Sequence, residues 1–185
     1  AVLITGGAGG VGSIAVQLAR RLTELRVIAT ASRPETRDWA LSLGAHHVLD
    51  HSEDLVAQAR ALGVAVPFVL STTETARNWN ALTDLLAPQG VVGVIDDFPS
   101  LDILRLKPKS ATLAWEFMFA RPVHQTADMI EQHRLLAEVS RMVDAGQLRT
   151  TLGEHFGRID ASNLLRAHAA VESGTMRGKA VLEGF

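Results

Sequence analysis

The sequence predicts an α/β fold, a doubly wound parallel sheet with helices on both faces, followed by a strand-helix-strand tail. Three observations carry this. Short apolar runs alternate with segments of helical periodicity through more than half of the chain, the pattern of βαβ units. The run Val91 to Ile95 is apolar on both faces, as a central parallel strand requires. A glycine cluster, TGGAGGVGS at residues 5–13, sits directly between the first apolar run and the first helical pattern.

Each element follows from its local signals. Val2 to Thr5 is the first strand, and Val11, Ile14, Ala15, Leu18 and Leu22 then recur on one helical face that ends near Leu25. Val27 to Thr30 is the second strand; Pro34 in a first turn and Gly44 beyond the last bracket the next helix. Val48-Leu49 is a short third strand, residues 50–62 a helix with a polar face, and Phe68 to Ser71 a fourth strand. A helix from Thr75 to Leu86 is stopped by Pro88 and Gly90, and the fifth strand, 91–95, follows. Ser110 to Phe119 reads as a sixth strand and Thr126 to Ala145 as a long amphipathic helix closed by Gly146. The tail consists of a strand from Leu148 to Phe156, a helix from Ser162 to Glu172 capped by Asp160 or Ser162, and a strand from Lys179 to Leu182. Gly146 is the expected boundary, giving a domain of residues 1–146 and a C-terminal segment of residues 147–185.

Composition narrows the class. The 185 residues are 47% hydrophobic and 21% charged, and the formal net charge is -2. Such a balance offers no bulk attraction to nucleic acid or to an anionic membrane, and neither a membrane span nor a secretory signal is visible. There is no cysteine, which suits a reducing cytoplasm, the expected location. The chain opens at Ala1 inside a predicted strand, so the expectation is a piece of a longer protein.

The glycines resolve into a fingerprint. Gly7-Ala8-Gly9-Gly10-Val11-Gly12 fits G-x-G-x-x-G between a strand and a helix. Gly7 is expected to allow the tight turn, Gly9 the close approach of backbone to a pyrophosphate, and Gly12 the packing of helix on strand. The helix start supplies unpaired N–H groups and partial positive charge for that anion. A triphosphate-binding loop needs Lys then Ser or Thr after the last glycine, and here Ser13-Ile14 follow. The short-chain dehydrogenases depend on a tyrosine, and the chain has none.

Ser32 and Arg33 stand at the end of the second strand, where a site preferring NAD carries an acid. Arg33 can pair with an adenosine 2'-phosphate and Ser32 can donate to it, so the expected cofactor is NADP(H). Glu35 lies two residues further on and keeps the NAD alternative open.

These segments also carry a family resemblance. GGAGGVGSIAVQLAR, VIATASRPET, LGAHHVLDH, STTETARNWNALTDLLAPQG and MRGKAVLEGF together resemble the medium-chain dehydrogenase/reductase superfamily, in its zinc-type alcohol dehydrogenase-like branch close to the quinone oxidoreductases. The resemblance runs through the whole chain. It implies a Rossmann domain, a missing N-terminal GroES-like catalytic domain to which residues 147–185 belong, and a substrate cleft between the two.

By the same resemblance, Gly9, Gly10, Val11 and Gly12 would hold the pyrophosphate. His51 would stand beside the adenosine phosphate, with an ordinary surface histidine as the other reading. Ser71, Thr72, Thr73, Ile95 and Asp96, at the carboxyl ends of the fourth and fifth strands, would approach the nicotinamide ribose or amide. Gly178 and Lys179 match a terminal motif near the cofactor, or an exposed strand. The stretch from Trp115 to Phe119 would pair edge to edge with a second subunit in a homodimer, or is an edge strand with an apolar face. The histidines, His46, His47, His124, His133, His155 and His168 among them, form no metal-ligand spacing, so no metal ligand is assigned. No catalytic residue is assigned either. The expected activity is NADP(H)-dependent hydride transfer to or from a small-molecule carbonyl, quinone or activated alkene. The alternative is a non-catalytic NADP(H)-binding sensor or scaffold.

Overall fold

A computed structural model describes residues 1–184; Phe185, the last residue of the terminal motif, lies outside them. The first six strands are β1 (Val2–Ile4), β2 (Val27–Thr30), β3 (His47–Leu49), β4 (Val66–Ser71), β5 (Leu86–Val94) and β6 (Thr112–Trp115). They form one sheet in the order β3-β2-β1-β4-β5-β6, with every neighbouring pair parallel. The order reverses between β1 and β4, the switch point at which such sheets open a crevice at their carboxyl edge. The doubly wound Rossmann fold is thus realised.

Between the strands run α1 (Gly10–Leu22), α2 (Pro34–Ser42), α3 (Leu55–Ala61) and α4 (Thr75–Leu85). Because successive strand residues point to opposite faces, β1 and β2 feed two cores. Leu3, Ile28, Val69, Val92 and Val94 pack with Leu55, Trp79 and Leu82 of α3 and α4 on one face. Val2, Ile4, Val27 and Ala29 pack with Val16 of α1 and Ala40 of α2 on the other.

Beyond β6 the chain forms α5 (Ala120–His124), α6 (Ile130–Asp144), β7 (Leu152–Arg158), α7 (Ala161–Glu172) and β8 (Lys179–Glu183). β7 and β8 make a separate two-stranded parallel sheet with α7 as the crossover. Only Met142 of α6 is buried, while Ile130, Leu135 and Leu136 are exposed.

Several boundaries differ from the sequence reading. β5 starts at Leu86 rather than Val91: Leu86 pairs with Val66 ahead of a register shift, and Pro88 and Gly90 fall inside an irregular strand instead of a loop. α1 stops at Leu22 because the Thr23 hydroxyl turns back onto the Ala19 carbonyl at 2.6 Å and accepts the Leu25 N–H at 3.2 Å. The helix expected over 50–62 begins at Leu55, where Asp54 caps it by accepting the Ala57 N–H at 2.9 Å. The sixth strand is confined to Thr112–Trp115, since Ala120 donates to the Phe117 carbonyl and starts α5. The tail strand begins at Leu152 rather than Leu148, which is instead buried next to Met142 through a bond to its carbonyl.

A 3-10 helix at Ile103–Lys109 was not legible in the sequence. Trp79 Nε1 fixes its start by donating to the Asp102 carbonyl at 2.8 Å, and Lys109 Nζ fixes its end by donating to the carbonyls of Thr83, Asp84 and Leu86.

Candidate functional site

A cavity of about 440 Å³ opens at the switch point. The glycine loop forms its floor. Gly6, not Gly7, makes the tight turn, with a left-handed φ of +60°. Its N–H donates to Thr30 Oγ1 at 3.1 Å, and the Gly7 N–H donates to the Thr30 carbonyl at 3.0 Å, locking the loop to the end of β2. Gly7 needs to be glycine because a Cβ there would lie 2.6 Å from the Ala29 Cβ. Gly12 packs closer still: its Cβ would stand 2.1 Å from the Gly6 carbonyl oxygen. Gly9 is only moderately confined, with Gly6 O at 3.3 Å from such an atom.

The outcome is a helix start facing open space. Gly9 is the N-cap of α1, and the N–H groups of Gly10, Val11 and Gly12 precede the first in-helix donor, the Ser13 N–H on the Gly9 carbonyl, so they are available to an anion. A Cβ on Gly10 would meet the Lys179 side chain, whose Nζ would be 2.6 Å away. The ammonium of Lys179 therefore lies over the same helix end.

Ten of the sequence-assigned residues line this cavity together: Gly9, Gly10, Val11, Gly12, Ser32, Arg33, His51, Thr72, Thr73 and Lys179. Arg33 is the N-cap position of α2; its backbone N–H is accepted by Thr36 Oγ1 at 3.2 Å, which fixes its main chain at the cavity wall. Its Nε pairs with Glu35 Oε1 at 2.9 Å. His51 is exposed at the rim, beside a smaller cavity of about 110 Å³ lined also by Thr5, Leu55, Glu74 and Arg77.

Five assigned residues stand outside the main cavity. Gly7 lies beneath its floor. Ser71 is fully buried, its hydroxyl 2.7 Å from that of Thr75. Ile95 donates its N–H to the Ser71 carbonyl at 3.3 Å. Asp96 is committed to the start of α4, where its carboxylate accepts the N–H of Thr75 at 3.0 Å and a short bond from the Thr75 hydroxyl. Gly178, with φ +61°, donates to the Ala8 carbonyl at 2.7 Å and so ties the β7–β8 unit to the glycine loop.

Several lining residues escaped the sequence reading. Thr30 and Thr36 serve as acceptors for the loop and the α2 start, and Gly174 and Met176 reach the cavity from the tail. A threonine that ends the second strand is the one signal that could have pointed to Thr30. The 174–176 contact depends on tertiary docking and leaves no local trace.

The floor fits a dinucleotide: glycines leave the backbone bare, three N–H groups converge, and the two cations Arg33 and Lys179 flank them. A metal is a different case. Among the described residues no three His, Cys, Asp or Glu side chains form a group able to hold one, so the donor set does not fit a zinc ion.

Residues 43–182 match the family model described as zinc-binding dehydrogenase. A zinc-type alcohol dehydrogenase-like protein of Staphylococcus aureus (strain COL) is 42% identical over 182 residues, covering 98% of this chain and 54% of that protein. The crystal structure of a Rhizobium etli CFN 42 protein assigned as a zinc-dependent alcohol dehydrogenase superposes with a TM-score of 0.96 at 58% identity, over 100% of this chain and 54% of that one. A mycobacterial protein solved as a complex with NADPH gives a TM-score of 0.82 at 27% identity, over 99% of this chain and 56% of its own. The chain thus spans about half the length of the relatives it matches. On these matches and on the fold, the chain belongs to the zinc-binding dehydrogenase family of the medium-chain dehydrogenase/reductase superfamily.

Proposed function

We propose that this chain is the cofactor-binding part of an NADP(H)-dependent oxidoreductase that transfers hydride to or from a carbonyl, quinone or activated alkene. The observation that carries the reading is the cavity at the sheet's switch point, where bare backbone N–H groups at the α1 start face the same space as Arg33 and Lys179. A diphosphate placed there meets the helix dipole and main-chain donors without a side chain in the way. The Arg33 guanidinium and Ser32 hydroxyl, at the other end, suit an adenosine 2'-phosphate. The mycobacterial relative solved in complex with NADPH supports the same cofactor.

When bound, a nicotinamide supplies the hydride chemistry, and the protein supplies binding and orientation. In this reading the hydroxyls of Thr72 and Thr73 face the ribose side, with Thr72 fixed by donating from its N–H and its hydroxyl to Thr5 at 2.8 and 2.7 Å. Ser71 and Asp96 act one step back: they hold Thr75 and thereby the β4–α4 turn in which Thr72 and Thr73 sit.

The remaining assignments are part of the same proposal. Residues 147–185 complete a catalytic domain supplied by further chain, which accounts for the exposure of Leu152, Leu165 and Val171. β6 is an unpaired sheet edge with Trp115 exposed, suited to a homodimer. A cysteine-free chain needs no oxidising compartment, in keeping with the cytoplasm.

The test is calorimetric titration with NADPH and NADH, then NADPH oxidation with a panel of quinones, aldehydes and enones by the full-length protein. NADPH preference with turnover supports the reading. Tight NADPH binding with no turnover favours a sensor or scaffold, and affinity for neither dinucleotide removes the proposal.

A further inference from the structure

The cation that reads the adenosine ribose already has two partners. Arg33 Nε meets the Glu35 carboxylate at 2.9 Å, and Arg33 Nη2 donates to the Thr175 carbonyl at 2.5 Å. These two nitrogens form one edge of the guanidinium, and Nη1 is left for a ligand. The Thr175 contact comes from the tail, 142 residues along the chain, in a segment that also lines the cavity through Gly174 and Met176. Arg177, next to it, stacks its guanidinium 5.1 Å from the centre of the Trp39 ring on α2. The tail therefore holds Arg33 in place whether or not Glu35 is charged.

Glu35 consequently contributes charge more than geometry. It lies in the first turn of α2 with its side chain 58% exposed, and Arg33 is 34% exposed. A carboxylate in contact with Arg33 offsets part of the attraction that the guanidinium exerts on a dianionic 2'-phosphate. It exerts no such penalty on a neutral 2'-hydroxyl, which a carboxylate can accept. Resting on the nucleotide reading above, we infer that Glu35 is a specificity-determining residue that limits the site's preference for the phosphorylated adenosine ribose and so keeps NAD(H) within reach.

The chemistry predicts a signed effect. Glu35→Gln removes the charge, keeps an acceptor and leaves the Thr175 contact intact. Affinity for NADPH and for 2',5'-ADP should rise about three- to tenfold at low salt, the scale of one unit charge at a partly exposed site, and the gain should shrink at high ionic strength. Affinity for NADH should stay level or fall.

Calorimetric titration of wild type, Glu35→Gln, Arg33→Ala and the double variant with NADPH, NADH and 2',5'-ADP decides it. The proposal expects the NADPH gain in the single variant and again when Arg33 is already alanine, because the Glu35 carboxylate repels the 2'-phosphate through space with or without the guanidinium beside it. A wild-type protein that binds NADPH but shows an unchanged or lower NADPH-to-NADH preference in Glu35→Gln overturns this inference alone. A folded wild-type protein that binds neither dinucleotide overturns the nucleotide reading and this inference together. A Glu35→Ser variant, also uncharged, repeats the comparison should Glu35→Gln prove insoluble.

Discussion

The side-chain amide of Gln17 holds the backbone of Arg149 from both sides: Gln17 Nε2 donates to the Arg149 carbonyl at 3.1 Å, and the Arg149 N–H donates to Gln17 Oε1 at 2.8 Å. Gln17 sits on α1 at 5% exposure and acts as a strand-like partner for a residue 132 positions away. The Arg149 guanidinium extends the clasp to Ser42 Oγ at 2.9 Å and to the Trp39 ring. This clasp, with Gly178 on Ala8, is how the tail reaches the glycine loop.

Gln17→Leu should therefore loosen the tail before the sheet. It removes both hydrogen bonds to the partly buried Arg149 backbone, a cost of about 1 kcal/mol. Urea denaturation should show a lowered midpoint, and hydrogen exchange should show residues 147–184 losing protection while β1, β2 and β4 retain theirs. Equal loss everywhere would mean that tail and sheet unfold as one unit.

How much of this was readable depends on where the determining forces lie. The sheet was legible because Leu3, Ile28, Val69 and Val92 belong to apolar runs punctuated by their own Gly, Pro and cap residues. The cavity floor was legible because the glycine fingerprint is local. The division of labour within it was not: that Gly6 turns and Gly7 packs depends on Ala29, which only the folded strand brings near. Thr112–Trp115 pairs with Val91–Val94, yet Glu116 to Phe119 are as apolar-patterned as the strand, so its end could not be placed. Ser71 and Asp96 carried the right edge of the sheet in the sequence, but the engagement of Asp96 with Thr75, 21 residues away, is tertiary.

His46 and Val27 give a pH prediction. Val27 donates its N–H to His46 Nδ1 at 2.9 Å, and the His46 N–H returns to the Val27 carbonyl at 2.8 Å. Partial desolvation of the ring, then the charges of Arg20, His47 and Arg26, lower the pKa of His46 from 6.5. The unfolded chain thus takes up its proton first as pH falls. The His46 contribution is present above pH 6.5 and is lost as pH drops from about 6.5 toward the lower folded value. His46→Asn, which cannot titrate, should flatten that part of the profile. Urea midpoints of both proteins from pH 8 to 5.5 check it, and parallel curves would refute it.

Lys109 closes the C-terminal end of α4 by donating to the carbonyls of Thr83, Asp84 and Leu86 at 2.7, 2.9 and 2.7 Å. A cation there also complements the negative end of the helix dipole. Lys109→Met keeps the stem and removes the donors, so stability should fall by about 1–3 kcal/mol, measured by chemical denaturation, with cofactor affinity near wild type. A loss of affinity as large as the loss of stability would indicate that the α4 end is coupled to the cavity.

Gly9 and Gly12 separate folding from binding within one loop. An alanine Cβ at Gly12 would stand 2.1 Å from the Gly6 carbonyl oxygen, and that oxygen belongs to a left-handed turn fixed by Thr30, so neither side can yield cheaply. Gly12→Ala should destabilise by about 3 kcal/mol or more, the range for severe overpacking against backbone. At Gly9, φ is -74°, a value alanine adopts freely, and the nearest atom would be 3.3 Å away. Gly9→Ala should therefore fold with a melting temperature within a few degrees of wild type while its methyl group projects toward the space reserved for the diphosphate, weakening NADPH at least tenfold. Thermal unfolding and calorimetric titration of the two variants check the contrast. If Gly9→Ala bound NADPH as wild type does, the diphosphate would have to lie off the α1 axis, and the assignment of the loop would move with it.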